Sequence, residues 1–440
     1  MNTKKVIIWS ITVALGGFLF GFDTAVISGA DLSIQKLWAL NDLQQGLTIS
    51  IALFGTVFGA LFGGIPSNSI GRKKTLVWIA ALYLVSAVGS SLAFDWYSFL
   101  FFRFIGGLGV GASSVAAPMY ISEISPAKSR GKLVALFQFN IVFGILVAFL
   151  SNYLMDLVLP GGWRWMLGME ALPAIAFLLL VNSVPYSPRW LVVKKNNTDE
   201  ALKILKVINK GDDERAQAEL DAIIKSKHGE QKSNDSLFSG KYSRPIMLAV
   251  VLAIFNQVSG INAIIYYTPR IFEMTGLGTS TALLSTTGIG LINFIFTLLA
   301  MAFIDRFGRR TLMLIGSVGL IATLGLVSSA FYSNNFGGYN VPVYLFIYIA
   351  FFAFSQGAVI WVFIAEIFPN QVRAGGQSLG SFTHWIMNAC LTFIFPYITE
   401  KIGGGHTFMF FSVMMVFQLV FVIFIMPETR GKSLEELENG

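Results

Sequence analysis

The sequence predicts an all-α polytopic membrane protein: twelve transmembrane helices in two six-helix, pseudo-symmetric halves, with a cytoplasmic helical linker. Three observations carry this. Of 440 residues, 55% are hydrophobic and only 12% are charged, against about 25% charged in an average soluble domain. Apolar runs near 20 residues recur along the chain, each long enough to cross roughly 30 Å of hydrocarbon. Three short motifs recur in the same order in the two halves.

The runs lie at about 6–28, 47–66, 75–94, 99–121, 133–154, 166–184, 245–267, 281–304, 311–332, 342–366, 377–399 and 406–426. The first is too long for a signal-peptide core and lacks a small-residue cleavage site, so it reads as a retained span. A polar insertion separates six spans from six. The expected organisation is 1–184 and 245–426 for the two halves, 185–244 for the linker and 427–440 for a cytoplasmic tail. In the linker, Thr198-Asp-Glu reads as a helix start with an N-cap hydroxyl and first-turn acids. Ala201, Leu202, Ile204, Leu205 and Ile208 follow at helical spacing, with Gly211 as a stop. A second helix is expected over about 212–227.

Lysine and arginine set the orientation. Lys4, Lys5, Arg72, Lys73, Lys74, Lys128, Arg130, Lys132, Arg306, Arg309, Arg310, Arg373 and the linker fall on one side. Lys36, Arg164, Arg270 and Lys401 fall on the other. The first side is therefore expected to be cytoplasmic, with both termini. The net charge of +7 belongs to these loops and is not a nucleic-acid signature. Cys390 is the one cysteine, which leaves no disulfide framework and no thiol metal site. With no metal-ligand cluster and no nucleophile–base set, neither an enzyme nor a cofactor is expected. Gly106-Gly-Leu-Gly109-Val-Gly111 has no surrounding βαβ unit. With Gly55, Gly59 and Gly63 it reads as close helix packing.

The halves repeat each other. Gly71-Arg72-Lys73-Lys74 follows the second span, and Gly308-Arg309-Arg310 follows the eighth. Glu123-Ile-Ser-Pro126 with Arg130 follows the fourth; Glu366-Ile-Phe-Pro369 with Arg373 follows the tenth. Pro185-Tyr-Ser-Pro-Arg189 follows the sixth, and Pro427-Glu-Thr-Arg430 the twelfth. Such repeats are common in transporters, where the substrate site sits near mid-membrane at the repeat interface.

Asp23 lies inside the first apolar run. A carboxylate there costs about 2.5–3.5 kcal/mol on insertion scales, so it is a functional candidate whose partner should be named. Arg103, inside the fourth run, is the expected partner. Measured from the run ends, both lie roughly 6–8 Å below the outer boundary. A fixed ion pair would merely neutralise two costly charges. A proton switch would use the same pair: beside the guanidinium the carboxylate keeps its charge, and when separated and desolvated it takes a proton.

The motifs together resemble the sugar porters of the major facilitator superfamily, essentially end to end. The resemblance rests on GFDTAVISG around Asp23, the paired basic loops, the two E-I-x-P-x-x-x-R segments and SPRWL from Ser187. It also rests on Gln257-Val-Ser-Gly-Ile-Asn262 with Tyr266-Tyr267, and on the C-terminal PETRGKSLEEL. The family's bacterial xylose–proton symporters are the nearer branch, and its facilitative glucose transporters of the human type the more distant one. The resemblance implies a monosaccharide carrier with no cofactor, working as a monomer in the cytoplasmic membrane. Proton-coupled members carry Asp at the position of Asp23 and facilitators carry Asn, which favours the switch and a pentose or hexose symporter. A uniporter of the same fold is the alternative. A sugar sensor is a weaker one, because only about 14 residues follow Met426.

A sugar site needs groups that both donate and accept, which amides supply, and rings for apolar sugar faces. Gln138, Asn256, Gln257, Asn262, Asn293, His384 and Asn388 are the polar candidates; Phe20, Tyr266, Trp361 and Trp385 are the aromatic ones. The resemblance aligns Gln138, Gln257, Asn262, Asn293 and Trp361 with sugar-contacting positions. Helix–helix hydrogen bonding is the alternative for a lone amide. The sequence departs from the xylose symporters at Ile145, Asn256 and His384, where they carry Gln, so xylose itself does not carry over. Arg72, Glu123, Arg130, Asp305, Arg309, Glu366 and Arg373 read as a cytoplasmic gate, alongside their positive-inside role. Asn68 stands where the family has Asp, and Tyr186 where it has Glu, so the N-terminal part of the gate is expected to be weaker.

Overall fold

The structure is a computed structural model that describes residues 2–126, 129–229, 237–369 and 372–430. Lys128 and residues 431–440 of the C-terminal motif lie outside the described residues. Among the described residues all regular structure is helical. The spans run Asn2–Leu37, then Asp42–Ser69, Arg72–Leu92, Trp96–Ile124, Arg130–Val158 and Trp163–Val181. The second set runs Ser243–Met274, Thr279–Phe307, Arg309–Tyr332 and Asn340–Glu366, Arg373–Ile402 and Gly404–Phe424. This is the expected two-times-six arrangement. Eleven of these helices are apolar enough to cross a membrane by composition. The eleventh span is 30 residues long, but Gly375, Gly376, Gln377, His384 and Asn388 dilute its apolar character.

Four spans are interrupted: the second and the sixth only briefly, at Gly63 and at Met169–Glu170, where Gly63 and Glu170 keep helical angles, and two others at residues with non-helical backbone. The seventh divides at Ser259–Gly260 into Ser243–Val258 and Ile261–Met274. Gly260 has φ +86°, and a β-carbon there would sit 2.5 Å from the Phe411 ring, so glycine is required on both counts. The tenth divides at Ser355, with φ −118° and ψ −92°. Broken membrane helices are tolerated where protein or a cavity satisfies the freed backbone; here Tyr348 donates its hydroxyl to the Ser259 carbonyl at 2.9 Å.

The chain packs as two compact units. One holds Met1–Thr24, Phe54–Ile145 and Leu167–Asn234; the other holds Ala25–Leu53, Leu146–Met166 and Asp235–Gly440. In the first, the small-residue stripe expected of the second span packs on the fourth. β-Carbons at Gly55 and Gly59 would lie 2.4 and 2.3 Å from the Phe104 and Leu108 carbonyl oxygens. The linker forms Pro188–Lys195, Thr198–Ile208 and Asp213–Gly229. One detail differs from expectation: Asn197, not Thr198, is the N-cap, accepting from the Glu200 amide at 3.1 Å. Asparagine is as good a cap as the hydroxyl, and it takes the place one residue earlier.

Candidate functional site: a buried charge cluster and an amide network

In the first unit, the Asp23–Arg103 pair forms. Arg103 Nη1 donates to Asp23 Oδ1 at 2.5 Å, and Nη2 donates to the Asp23 carbonyl at 3.3 Å. Both residues are 2% exposed. The depth derived from the run ends does not hold, however. The first helix continues past Ser28 to Leu37 and the fourth begins at Trp96, so the pair lies further from the helix ends than reckoned.

A third charged group, which the sequence reading does not single out, joins the pair. Glu170, on the sixth span, is 1% exposed and interacts with both Asp23 and Arg103. Its Oε1 has no hydrogen-bond partner. The signal was present, an acid inside the sixth apolar run, and the insertion cost that singled out Asp23 applies equally. Two carboxylates and one guanidinium share this site. Gly106 lets the fourth span in: a β-carbon there would lie 2.3 Å from Ser86 Oγ and 3.4 Å from Asp23 Oδ1.

In the second unit, the break in the seventh span gathers the amides. Asn262 donates from Nδ2 to Gln257 Oε1 at 2.8 Å, and Gln257 Nε2 donates to Asn256 Oδ1 at 2.9 Å. Gln257 Nε2 also faces the His384 ring nitrogens at 3.1 and 3.3 Å. An imidazolium offers no acceptor, so this contact suits a neutral ring. His384 lies 4.8 Å from the Trp361 ring and 5.0 Å from the Trp385 ring, centroid to centroid. Asn388 is 1% exposed; its Oδ1 accepts from Thr392 at 3.1 Å, while its Nδ2 has no protein partner. Tyr266 and Asn293 are buried in the same unit. Phe20 and Gln138 belong to the other unit. Phe20 is buried on the first span, and Gln138 is half-buried on the fifth.

The motif residues at the basic-loop ends pair within their own halves. Arg72 Nη2 binds Glu123 Oε1 at 2.9 Å, and Ser187 Oγ donates to Glu123 Oε2. Arg309 grips Glu366 with two bonds, at 3.1 and 2.7 Å, and binds Asp305 at 2.9 Å. Arg373 donates from Nε to the Phe368 carbonyl at 3.1 Å. Arg130 is exposed at the start of the fifth span.

This architecture, duplicated motifs around a polar interior, is that of a membrane transporter. The profile of the family described as "Sugar (and other) transporter" matches residues 9–440, and the chain belongs to that family. It is 38% identical over 441 residues to the arabinose-proton symporter of Bacillus subtilis, covering 99% of this chain and 94% of that protein. It is 36% identical over 481 residues to the D-xylose-proton symporter of Escherichia coli, covering 100% and 97%. The partially occluded, inward-open structure of the E. coli xylose transporter superposes with a TM-score of 0.86 at 33% identity, covering 98% of this chain and 100% of that one.

Proposed function

We propose that this chain is a proton-coupled monosaccharide symporter of the cytoplasmic membrane, with both termini cytoplasmic, acting as a monomer by rocker-switch alternating access. Its two halves are 1–184 and 245–426, joined by the linker and followed by a short tail. The observation that carries the reading is the buried Asp23–Arg103–Glu170 cluster. Full neutralisation of one arginine needs one carboxylate; a second beside it gives a proton a place to bind. Arabinose- and xylose-proton symporters among the relatives support the same reading. Gln257, Asn256, Asn262, Asn293, Asn388 and Gln138 are assigned to sugar hydroxyls, and Trp361, Trp385, Tyr266 and Phe20 to its apolar faces. His384 is assigned to positioning Gln257.

One proton entering down about 100 mV and one pH unit supplies roughly 3.7 kcal/mol, enough for accumulation on the order of several hundred-fold. The test is sugar addition to cells in lightly buffered medium. External alkalinisation is expected, and its absence would leave the facilitator alternative. Asp23→Asn is expected to abolish accumulation in proteoliposomes while sparing exchange between equal sugar concentrations. An Asp23→Asn protein that still concentrates sugar refutes the switch.

A further inference from the structure

A second buried ion pair lies at the end of the bundle opposite the basic loops, called outer here from the lysine and arginine count. Asp31, on the first span, is 1% exposed. Arg270, on the seventh, meets it through both arms of the fork: Nε to Oδ2 at 2.6 Å and Nη2 to Oδ1 at 3.0 Å. Two amides complete the arrangement. Gln45, from the second span, is fully buried; its Nε2 donates to Asp31 Oδ1 and, at 2.9 Å, to the Asp31 carbonyl. Gln35 Oε1 accepts from Arg270 Nη2 at 2.6 Å. The guanidinium also lies 5.8 Å from the Tyr267 ring, and the Tyr267 hydroxyl bonds the Thr392 carbonyl of the eleventh span at 3.0 Å.

The pair joins a span of the first sequence half to one of the second. It sits among other contacts of the same kind in this unit. Asp156 of the fifth span accepts from Ser280 of the eighth at 2.8 Å. Gly46 of the second span approaches the eleventh so closely that a β-carbon would lie 1.8 Å from the Phe393 carbonyl oxygen. By contrast, the ion pairs found at the basic-loop end stay within one half. A bidentate, desolvated arginine–carboxylate pair has strict geometry and is lost if the spans part by even a few ångströms. Removing one partner leaves the other charge buried and uncompensated, which disfavours the closed arrangement.

We propose that Asp31 and Arg270, braced by Gln45 and Gln35, form an outer lock between the halves, made when the outer face is shut and broken when it opens. This rests on the alternating-access reading above. Its strength sets how much of the protein stands closed outward. Asp31 is the more deeply buried partner, with 2% of its side chain exposed against 14% for Arg270. Stranding the carboxylate therefore opens the outer face more than stranding the arginine does.

The test places spin labels at Leu37 and Ile402, which are 53% and 54% exposed, in a Cys390→Ser background of the full chain in lipid. Pulsed dipolar distances are then compared. Arg270→Gln is expected to raise the long-distance, outward-open population on the order of tenfold or more, with Asp31→Asn following in the same direction but less. The exchanged pair, Asp31→Arg with Arg270→Asp, is expected to recover the short distance. Unchanged distributions in both single variants overturn the lock, as does an exchanged pair no more closed than the singles. If Arg270→Gln does not fold, Arg270→Lys keeps the charge without the fork; it is expected to open partly, and no change overturns the proposal. The distances need no sugar, so failure of the transport reading shows separately, as an unmodified protein that moves none.

Discussion

The two motif clusters at the basic-loop ends share one pattern, yet they are held differently. In the C-terminal half, Glu428 accepts from the Arg309 and Arg310 amides at 2.9 and 3.0 Å. It thus caps the start of the ninth span with a full negative charge. Thr429 adds a bond to Glu366 at 2.6 Å, and Arg309 holds two acids at once. In the N-terminal half, Tyr186 stands where Glu428 stands. Its ring stacks on Trp190 at 5.6 Å under Lys73, 5.2 Å from the ring centre. Trp190 donates its indole N–H to the Asn68 carbonyl at 3.1 Å. Arg72 has Glu123 as its ion-pair partner and takes the Ser67 carbonyl besides, at 3.0 Å. One half secures its basic-loop end with charge; the other does so with aromatic surface and a single ion pair. The two clusters share a geometry and differ in chemistry. Both halves keep a left-handed glycine before the arginine, Gly71 at φ +94° and Gly308 at φ +86°.

This contrast can be broken in a graded way. Arg309→Ala should have the largest effect, since it removes both bonds to Glu366 together with those to Asp305 and the Ile304 carbonyl; uptake is expected to fall by at least about tenfold, with lower thermal stability. Arg72→Ala should cost less, because Arg72 makes only the bonds to Glu123 and the Ser67 carbonyl; uptake measured side by side would refute the contrast if the order reversed. Glu428→Gln, which keeps the shape and loses the charge at the helix start, should cost about 0.3–1 kcal/mol, read as a small drop in unfolding temperature. Tyr186→Glu should change stability least. It regains an acid at the start of the third span but gives up the stack on Trp190, and restoration of full C-terminal behaviour would show that the aromatic lid contributes nothing.

Much of this was legible in the residues. Repeated motifs revealed the two halves, and Asp23 and Arg103 found each other because both stand out against apolar neighbours. The amides of the seventh span were found because Asn and Gln are rare in such runs. Glu170 stands out in the sixth run by the same criterion. Asp31 is less visible, because the apolar residues that mark the first span thin out after Ser28. The helix runs on to Leu37, since burial against other spans sustains it where hydropathy does not. The seventh apolar run likewise ends at about residue 267, before Arg270. The pairing of Asp31 with Arg270, 239 positions apart, is a tertiary fact that neither periodicity nor composition encodes.

The eleventh span carries a consequence for how the protein is made. Its polar residues put it outside the set of helices long and apolar enough by composition to cross a membrane, and a helix that gains less from lipid depends more on its neighbours. The close approach of Gly380 to Ile364 gives it such a neighbour in the tenth span, which precedes it during synthesis, and Gly376 packs on Phe368 just beyond that span. The residues assigned to the sugar thus set an order of assembly: the tenth span has to be in place to receive the eleventh, and a variant that loosens that seam should lose protein from the membrane before it loses any affinity for cargo.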